Sequence, residues 1–248
     1  MERPAKANCW TLKSKTHHEV YTDGDRWLKV ARDSSAMAEG EIRTDASVLA
    51  ALGHEVGLNR RHDGRLAHLI SHMGDPCRDI EYDPLPILAQ LRDAWSRVTP
   101  ETGPPLKDVH DWIGRTQQKI EIRVQDAEVR QMLLDRLPDR ISTSEESWGL
   151  CHTDPHVGNV LTGPDGFVVL DWESALYGPA ELDAAAVALS LWNLGRHADA
   201  VEVISNREEA APLITTKATS GASWAWANVG PELMQQRLQA CDDLLARI

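Results

Sequence analysis

Phenylalanine is almost missing from this chain, at one residue in 248, and tyrosine is scarce at three. Tryptophan, at nine, takes their place; it is more often a core or groove filler than a cofactor contact. Positive charge is also short. Twenty-six Lys and Arg face 38 Asp and Glu, a formal net charge of -12. So acidic a chain offers no basic face for a nucleic-acid backbone, which excludes nucleic acid as the expected partner. It favours solubility, and its field would steer a cationic small molecule inward. Cys9, Cys77, Cys151 and Cys241 form no C-x-x-C pair and read as isolated, reduced, partly buried thiols. Met1 to Asn8 is polar, and no apolar run approaches the length of a membrane span. No membrane association is expected, and cytoplasm is the expected location. What remains is ordinary globular composition, 42% hydrophobic and 26% charged, in a chain long enough for two packed lobes.

Residues 9–13, 18–22 and 26–31 alternate as three short strands, with Asp23-Gly24-Asp25 as the hairpin turn between the last two. Residues 40–53 follow with helical spacing, Ile42, Ala46 and Leu49 on one face and Gly53 at the end. Residues 65–72 form another apolar strand, and Met73-Gly74-Asp75-Pro76 breaks it. A boundary therefore falls between 1–74, a small sheet with one helix, and 75–248, where the pattern turns mostly helical. Helices are expected over 86–98, 106–119, 125–137, 180–195 and 231–247. Residues 148–151 and 167–170 are short apolar strands, with a turn at Gly163-Pro164-Asp165-Gly166. The Thr/Ser/Gly-rich stretch 215–223 reads as a loop. Trp192, Trp224 and Trp226 read as core residues, with an acceptor groove as the alternative.

Residues 152–159 run His-Thr-Asp-Pro-His-Val-Gly-Asn, and Asp171-Trp172-Glu173 follows twelve residues after Asn159. Each half follows an apolar strand, so its polar groups emerge at strand ends. Phosphoryl transfer wants this set: a carboxylate to orient the attacking hydroxyl and accept its proton, and two oxygen donors for a hard divalent cation. Asp154 suits the first role; Asn159 and Asp171 suit the second. A cap on a turn is the plain alternative for each residue singly.

The run from Cys151 to Trp192 resembles the aminoglycoside phosphotransferase and choline kinase group of small-molecule kinases, whose signature is H-x-D-x-x-x-x-N and then D-[WF]-E. Ala175-Leu176-Tyr177-Gly178-Pro179 and Asp183 continue the likeness. Thr153 stands where the group usually has Gly. The resemblance implies an α+β, protein-kinase-like bilobal fold. Its N-lobe is a small antiparallel sheet with one helix, and its C-lobe is larger and mostly helical. It implies ATP or GTP as co-substrate, Mg²⁺, and transfer of the γ-phosphoryl group to a small-molecule hydroxyl. The acceptor would be an antibiotic, in a resistance or self-protection role, or an amino alcohol or sugar, in a monomer or a homodimer.

By the same resemblance His152 and Asp183 are structural. Lys29, inside an apolar strand, would contact the nucleotide phosphates and pair with Asp45 or with Glu41. A snorkelling edge-strand lysine is the rival reading of Lys29. The phosphate loop, 13–17, lacks glycine, and Ser14 or Thr16 would serve there. The backbone of Ser71 and Met73 would hold the purine edge, with Leu161 and Leu170 beneath the base. Glu173 and Asp75 are candidate contacts for a cationic acceptor. A catalytically silent nucleotide-binding module is one competing reading. A metallohydrolase using His152, Asp154 and His156 is another, but it leaves Asn159 and Asp171 unexplained. The remaining histidines, His18 and His68 among them, lack metal-ligand spacing and read as surface or locally bonded residues.

Overall fold

The fold is taken from a computed structural model, which describes residues 11–14, 18–61, 63–71, 74–141, 148–163 and 166–248. The chain divides into two compact units. One is Met1–Gly74 together with Asp171–Ser174; the other is Asp75–Leu170 together with Ala175–Ile248.

The N-terminal unit is an antiparallel sheet of β1 (Thr11–Ser14), β2 (Glu19–Thr22), β3 (Arg26–Val30), β4 (Val56–Arg60) and β5 (Leu66–Ser71), in the order β1-β2-β3-β5-β4. The β2–β3 turn is held by Asp23, whose Oδ1 accepts the amides of Asp25 and Arg26 at 3.0 and 2.8 Å, while Gly24 supplies a φ of +95°. Helix α1 (Ala36–Ala51) begins four residues before the expected start. Ser35 caps it, its side chain accepting the Ala38 amide at 3.2 Å, a signal that outweighs Gly40 inside the first turns. Ala31, Ala38, Ile42 and Leu66 close the small core under the sheet. The edge strand β4 was not expected, because Val-Gly-Leu-Asn-Arg is half-buried at best and carries no clear alternation.

The C-terminal unit is mostly helical. A three-stranded sheet of β6 (Asp75–Pro76), β8 (Val160–Gly163) and β9 (Gly166–Val169) and a two-stranded one of β7 (Gly149–Cys151) and β10 (Leu176–Gly178) carry its loops. Around them lie α2 (Pro84–Arg97), α3 (Val109–Arg123), α4 (Ala127–Asp135), α5 (Glu181–Asn193), α6 (His197–Glu202), α7 (Arg207–Asn228) and α8 (Pro231–Leu245). The Ala-rich α5 is buried on nearly every side, as its apolar run 184–189 requires.

The stretch 215–223 is not a loop but the middle of α7. Its small side chains let neighbouring helices approach, and Thr216, Ala218, Thr219, Ala222 and Ser223 are buried. The Thr216 and Ser223 hydroxyls return to the carbonyls of Pro212 and Ser220, each at 2.8 Å, whereas the buried Thr219 hydroxyl has no hydrogen-bond partner among the described residues. Ala222 and Ala225 join Ile120, Val124, Leu133, Met234 and Leu238 in one core cluster. Among the described residues no helix is long and apolar enough to cross a membrane. Cys77, Cys151 and Cys241 are free, buried thiols.

Candidate active site

In the N-terminal unit, strand pairing sets Lys29 of β3 opposite His68 of β5. Directly opposed residues share a sheet face, so both side chains point to α1 and meet Asp45. Lys29 Nζ lies 3.0 Å from Asp45 Oδ2, and His68 Nε2 lies 2.9 Å from the same oxygen. The other oxygen, Oδ1, accepts the Trp172 amide at 2.8 Å, which anchors the 3₁₀ turn Trp172–Ser174 to α1. Lys29 also donates to Asp171 and, at 2.8 Å, to Glu173 Oε2. His18 Nε2 stands 3.1 Å from Glu173 Oε2 and 3.4 Å from Glu41 Oε2.

Of the two acids considered for Lys29, Asp45 makes the contact, and Glu41 serves Arg32 at 3.1 Å and His18 instead. Asp45 is 1% exposed. Burial alone would raise its pKa, but the Lys29 charge and the His68 hydrogen bond hold it well below the carboxylate range. Lys29 is likewise held well above its ordinary value: burial opposes the charge, but Asp45, Asp171 and Glu173 outweigh it. Asp171 moves the other way, up to about 7. Its burial and the neighbouring Glu173 and Asp45 charges prevail over Lys29. Glu173 meets Lys29 at 2.8 Å and His18 at 3.1 Å, both through Oε2.

The second cluster belongs to the C-terminal unit. The Asp183 carboxylate, at the start of α5, accepts the Thr153 amide on Oδ1 at 2.8 Å and the His152 amide on Oδ2 at 3.1 Å. That grip holds Thr153 at a φ of 70°, a left-handed conformation rare for a β-branched residue. His152, fully buried, accepts the Asp154 amide on Nδ1 at 3.2 Å and donates from Nε2 to the Leu170 carbonyl at 2.7 Å. Asn159 donates from Nδ2 to the Asp154 carbonyl at 3.0 Å, and its own carbonyl accepts the Leu170 amide at 2.8 Å. Its side-chain oxygen has no hydrogen-bond partner among the described residues.

The Asp154 side chain, 42% exposed, accepts Lys217 of α7 on Oδ1 at 2.7 Å. His156 Nε2 is 3.9 Å from its Oδ2. Burial would raise the Asp154 pKa, but Lys217 and His156 bring it down to about 2, so the group is ionised at any working pH. Leu161 is buried in β8, and Leu170 is half-buried after β9. Asp75 is exposed in β6, and Ser71 is exposed at the end of β5. Ser14 ends β1; its side chain, Thr16 and Met73 lie outside the described residues.

Sequence reasoning missed His18, His68 and Lys217. The two histidines sit on strands with no spacing signal, and Lys217 sits in the stretch taken for a loop. Only strand register and helix packing bring them to the acids.

The donor set suits a divalent cation. Within the N-terminal unit one ammonium faces the carboxylates of Asp45, Asp171 and Glu173, an excess of negative charge. Among the described residues no three His, Cys, Asp or Glu side chains form a ready metal cage. Mg²⁺ is commonly held by one or two protein oxygens, with phosphates and water completing the shell.

An ionised, accessible aspartate on a braced loop, and a buried lysine among acids in an antiparallel sheet, define a protein-kinase-like α+β fold. Three solved structures share it. The choline kinase LicA from Streptococcus pneumoniae is 15% identical, with a TM-score of 0.61 over 97% of this chain and 94% of that one. A thermostable mutant of aminoglycoside phosphotransferase APH(4)-Ia, in a ternary complex with AMP-PNP and hygromycin B, is 14% identical, with a TM-score of 0.66 over 96% and 93%. A mutant of aminoglycoside 2'-phosphotransferase-IIIa in its GDP complex is 14% identical, with a TM-score of 0.59 over 95% and 90%. A search of curated proteins returns no sequence match. The model of the phosphotransferase enzyme family matches residues 68–212, more than half of the chain, and the chain belongs to that family.

Proposed function

We propose that this phosphotransferase moves the γ-phosphoryl group of ATP or GTP to a hydroxyl of a small molecule. The observation that carries this is the state of Asp154. Its carboxylate is ionised and accessible, while His152, Asn159 and Asp183 tie down the loop that presents it. A base that only orients the alcohol and collects its proton late need not be strong, because the transition state is loose and positioning dominates. Lys29 fixes the nucleotide phosphates. Asn159 and Asp171 would hold Mg²⁺, which supplies charge neutralisation on those phosphates. Ser71 would hold the base through backbone groups, with Leu161 and Leu170 against its face. The neighbours' names point to antibiotic acceptors, in a resistance or self-protection role, and to amino alcohols; the charges around Asp154 bear on that choice.

Turnover of nucleotide with Mg²⁺, measured beside nucleotide binding by calorimetry, tests the reading. Asp154→Asn is expected to lower kcat by ~10²–10⁴-fold while nucleotide still binds. Unchanged turnover removes Asp154 as the base. Absence of Mg²⁺-dependent nucleotide binding by the unaltered protein removes the kinase reading altogether, and leaves the silent module as its replacement only if nucleotide binds without turnover.

A further inference from the structure

Two basic side chains, Lys217 and Arg237, lie near Asp154 in a chain of net charge -12. Lys217 contacts Asp154, which is its single ion-pair partner among the described residues. Lys217, Gly221 and Trp224 lie at i, i+4 and i+7 of α7 and so share one face. Arg237 of α8 lies against that face. Its guanidinium carbon is 5.5 Å from the Trp224 ring centroid, and a Cβ on Gly221 would come within 2.6 Å of Nη1. The glycine therefore makes room for the arginine. Arg237 is half-buried and has no ion-pair partner among the described residues; the acidic charge it feels is that of Asp154. His156 Nε2 stands 3.9 Å from Asp154 Oδ2 on the same side. Two permanent cations thus stand near Asp154, and the buried Asp183 carboxylate feels Lys217 as well.

We infer that the acceptor carries an anionic group, a carboxylate or a phosphate, beside its reactive hydroxyl, and that Lys217 and Arg237 bind that group. This rests on the kinase reading and deepens it. Lys217 occupies Oδ1 of Asp154, which leaves Oδ2 for the hydroxyl. The acceptor oxygen forms a bond to the γ-phosphorus. The bond from that phosphorus to the bridging oxygen breaks, its electron pair leaving on the nucleoside diphosphate, and the hydroxyl proton passes to Oδ2. The Arg237 fork suits a planar or tetrahedral oxyanion, and Lys217 adds a point charge. An aminoglycoside or choline would set ammonium groups against both cations, an arrangement that disfavours binding.

The test offers three sets of acceptors with Mg²⁺ and ATP or GTP: hydroxy acids, sugar and polyol phosphates, and cationic compounds comprising aminoglycosides and choline. Products are read by mass spectrometry for one added phosphate. Phosphorylation within the first set assigns a carboxylate, and within the second a phosphate. Lys217→Ala and Arg237→Ala are each expected to raise KM for that acceptor by ~10-fold or more, with nucleotide KM within about 2-fold of the parent. Arg237→Lys is expected to recover part of the loss, since charge returns without the fork. Phosphorylation confined to the cationic set, or of no compound, overturns the inference, as does a rise in nucleotide KM in place of acceptor KM. Nucleotide binding by the unaltered protein separates these outcomes from failure of the kinase reading.

Discussion

Replacing Asp183 by Asn asks what it costs to hold the loop before Asp154. The carboxylate is 4% exposed and its two oxygens take the amides of His152 and Thr153. Burial pushes its pKa from 3.8 to about 6, although the two amide bonds pull the other way. The folded chain therefore keeps this proton to higher pH than the unfolded chain does. From about pH 4 upward the folded state binds the extra proton, so stability falls as pH rises, and the loss is complete by about pH 7. At ~1.4 kcal/mol per pH unit the whole titration is worth about 3 kcal/mol, most of it between pH 4 and pH 7. Asn does not titrate. Its amide oxygen can keep one backbone donor, while its nitrogen meets the other donor head-on, a penalty of ~1–3 kcal/mol at every pH. Urea unfolding of both proteins from pH 4 to pH 7 should show the parent losing ground to the variant as pH rises. Parallel stability curves would refute the raised Asp183 pKa.

Lys29→Met should cost ~3–5 kcal/mol of stability, because it strips buried Asp45 of its main counter-charge. It should also weaken nucleotide binding; a rise confined to acceptor KM would show that the nucleotide site is misplaced. Thr153→Gly should raise the melting temperature, because glycine accepts a φ of 70° without the ~1–3 kcal/mol strain of a β-branched residue. A lower melting temperature would mean that the Thr153 side chain contributes more than its backbone costs.

Legibility differed by cause. The loop 152–159 stood out because its groups are close in sequence: His152, Asp154 and Asn159 fall within eight residues, each with a distinct chemical type. The hairpin at Asp23-Gly24-Asp25 could be read because a local side chain makes the turn. Lys29 stood out as a charge among apolar neighbours, but its partner was left between Asp45 and Glu41, residues one helical turn apart. Only the orientation of α1 decides between them. His68 acquires its contact through pairing of β3 with β5, strands nearly forty residues apart, which no local pattern encodes. The α7 error has the opposite origin. Thr, Ser and Gly are weak helix formers alone, yet close packing rewards their small size, and burial overrides propensity. With that helix misread, Lys217 and its contact with Asp154 were out of reach.

The N-terminal unit is not one unbroken length of chain, since four residues from far downstream complete it. A fragment ending at Gly74 would leave Lys29 without Asp171 and Glu173, and Asp45 without the amide of Trp172. During synthesis the sheet must therefore wait, its acidic pocket unfinished, until nearly a hundred more residues have been made. Nor can the unit be exchanged between relatives as a cassette: a swap at Gly74 would replace the sheet and keep the old turn that belongs inside it.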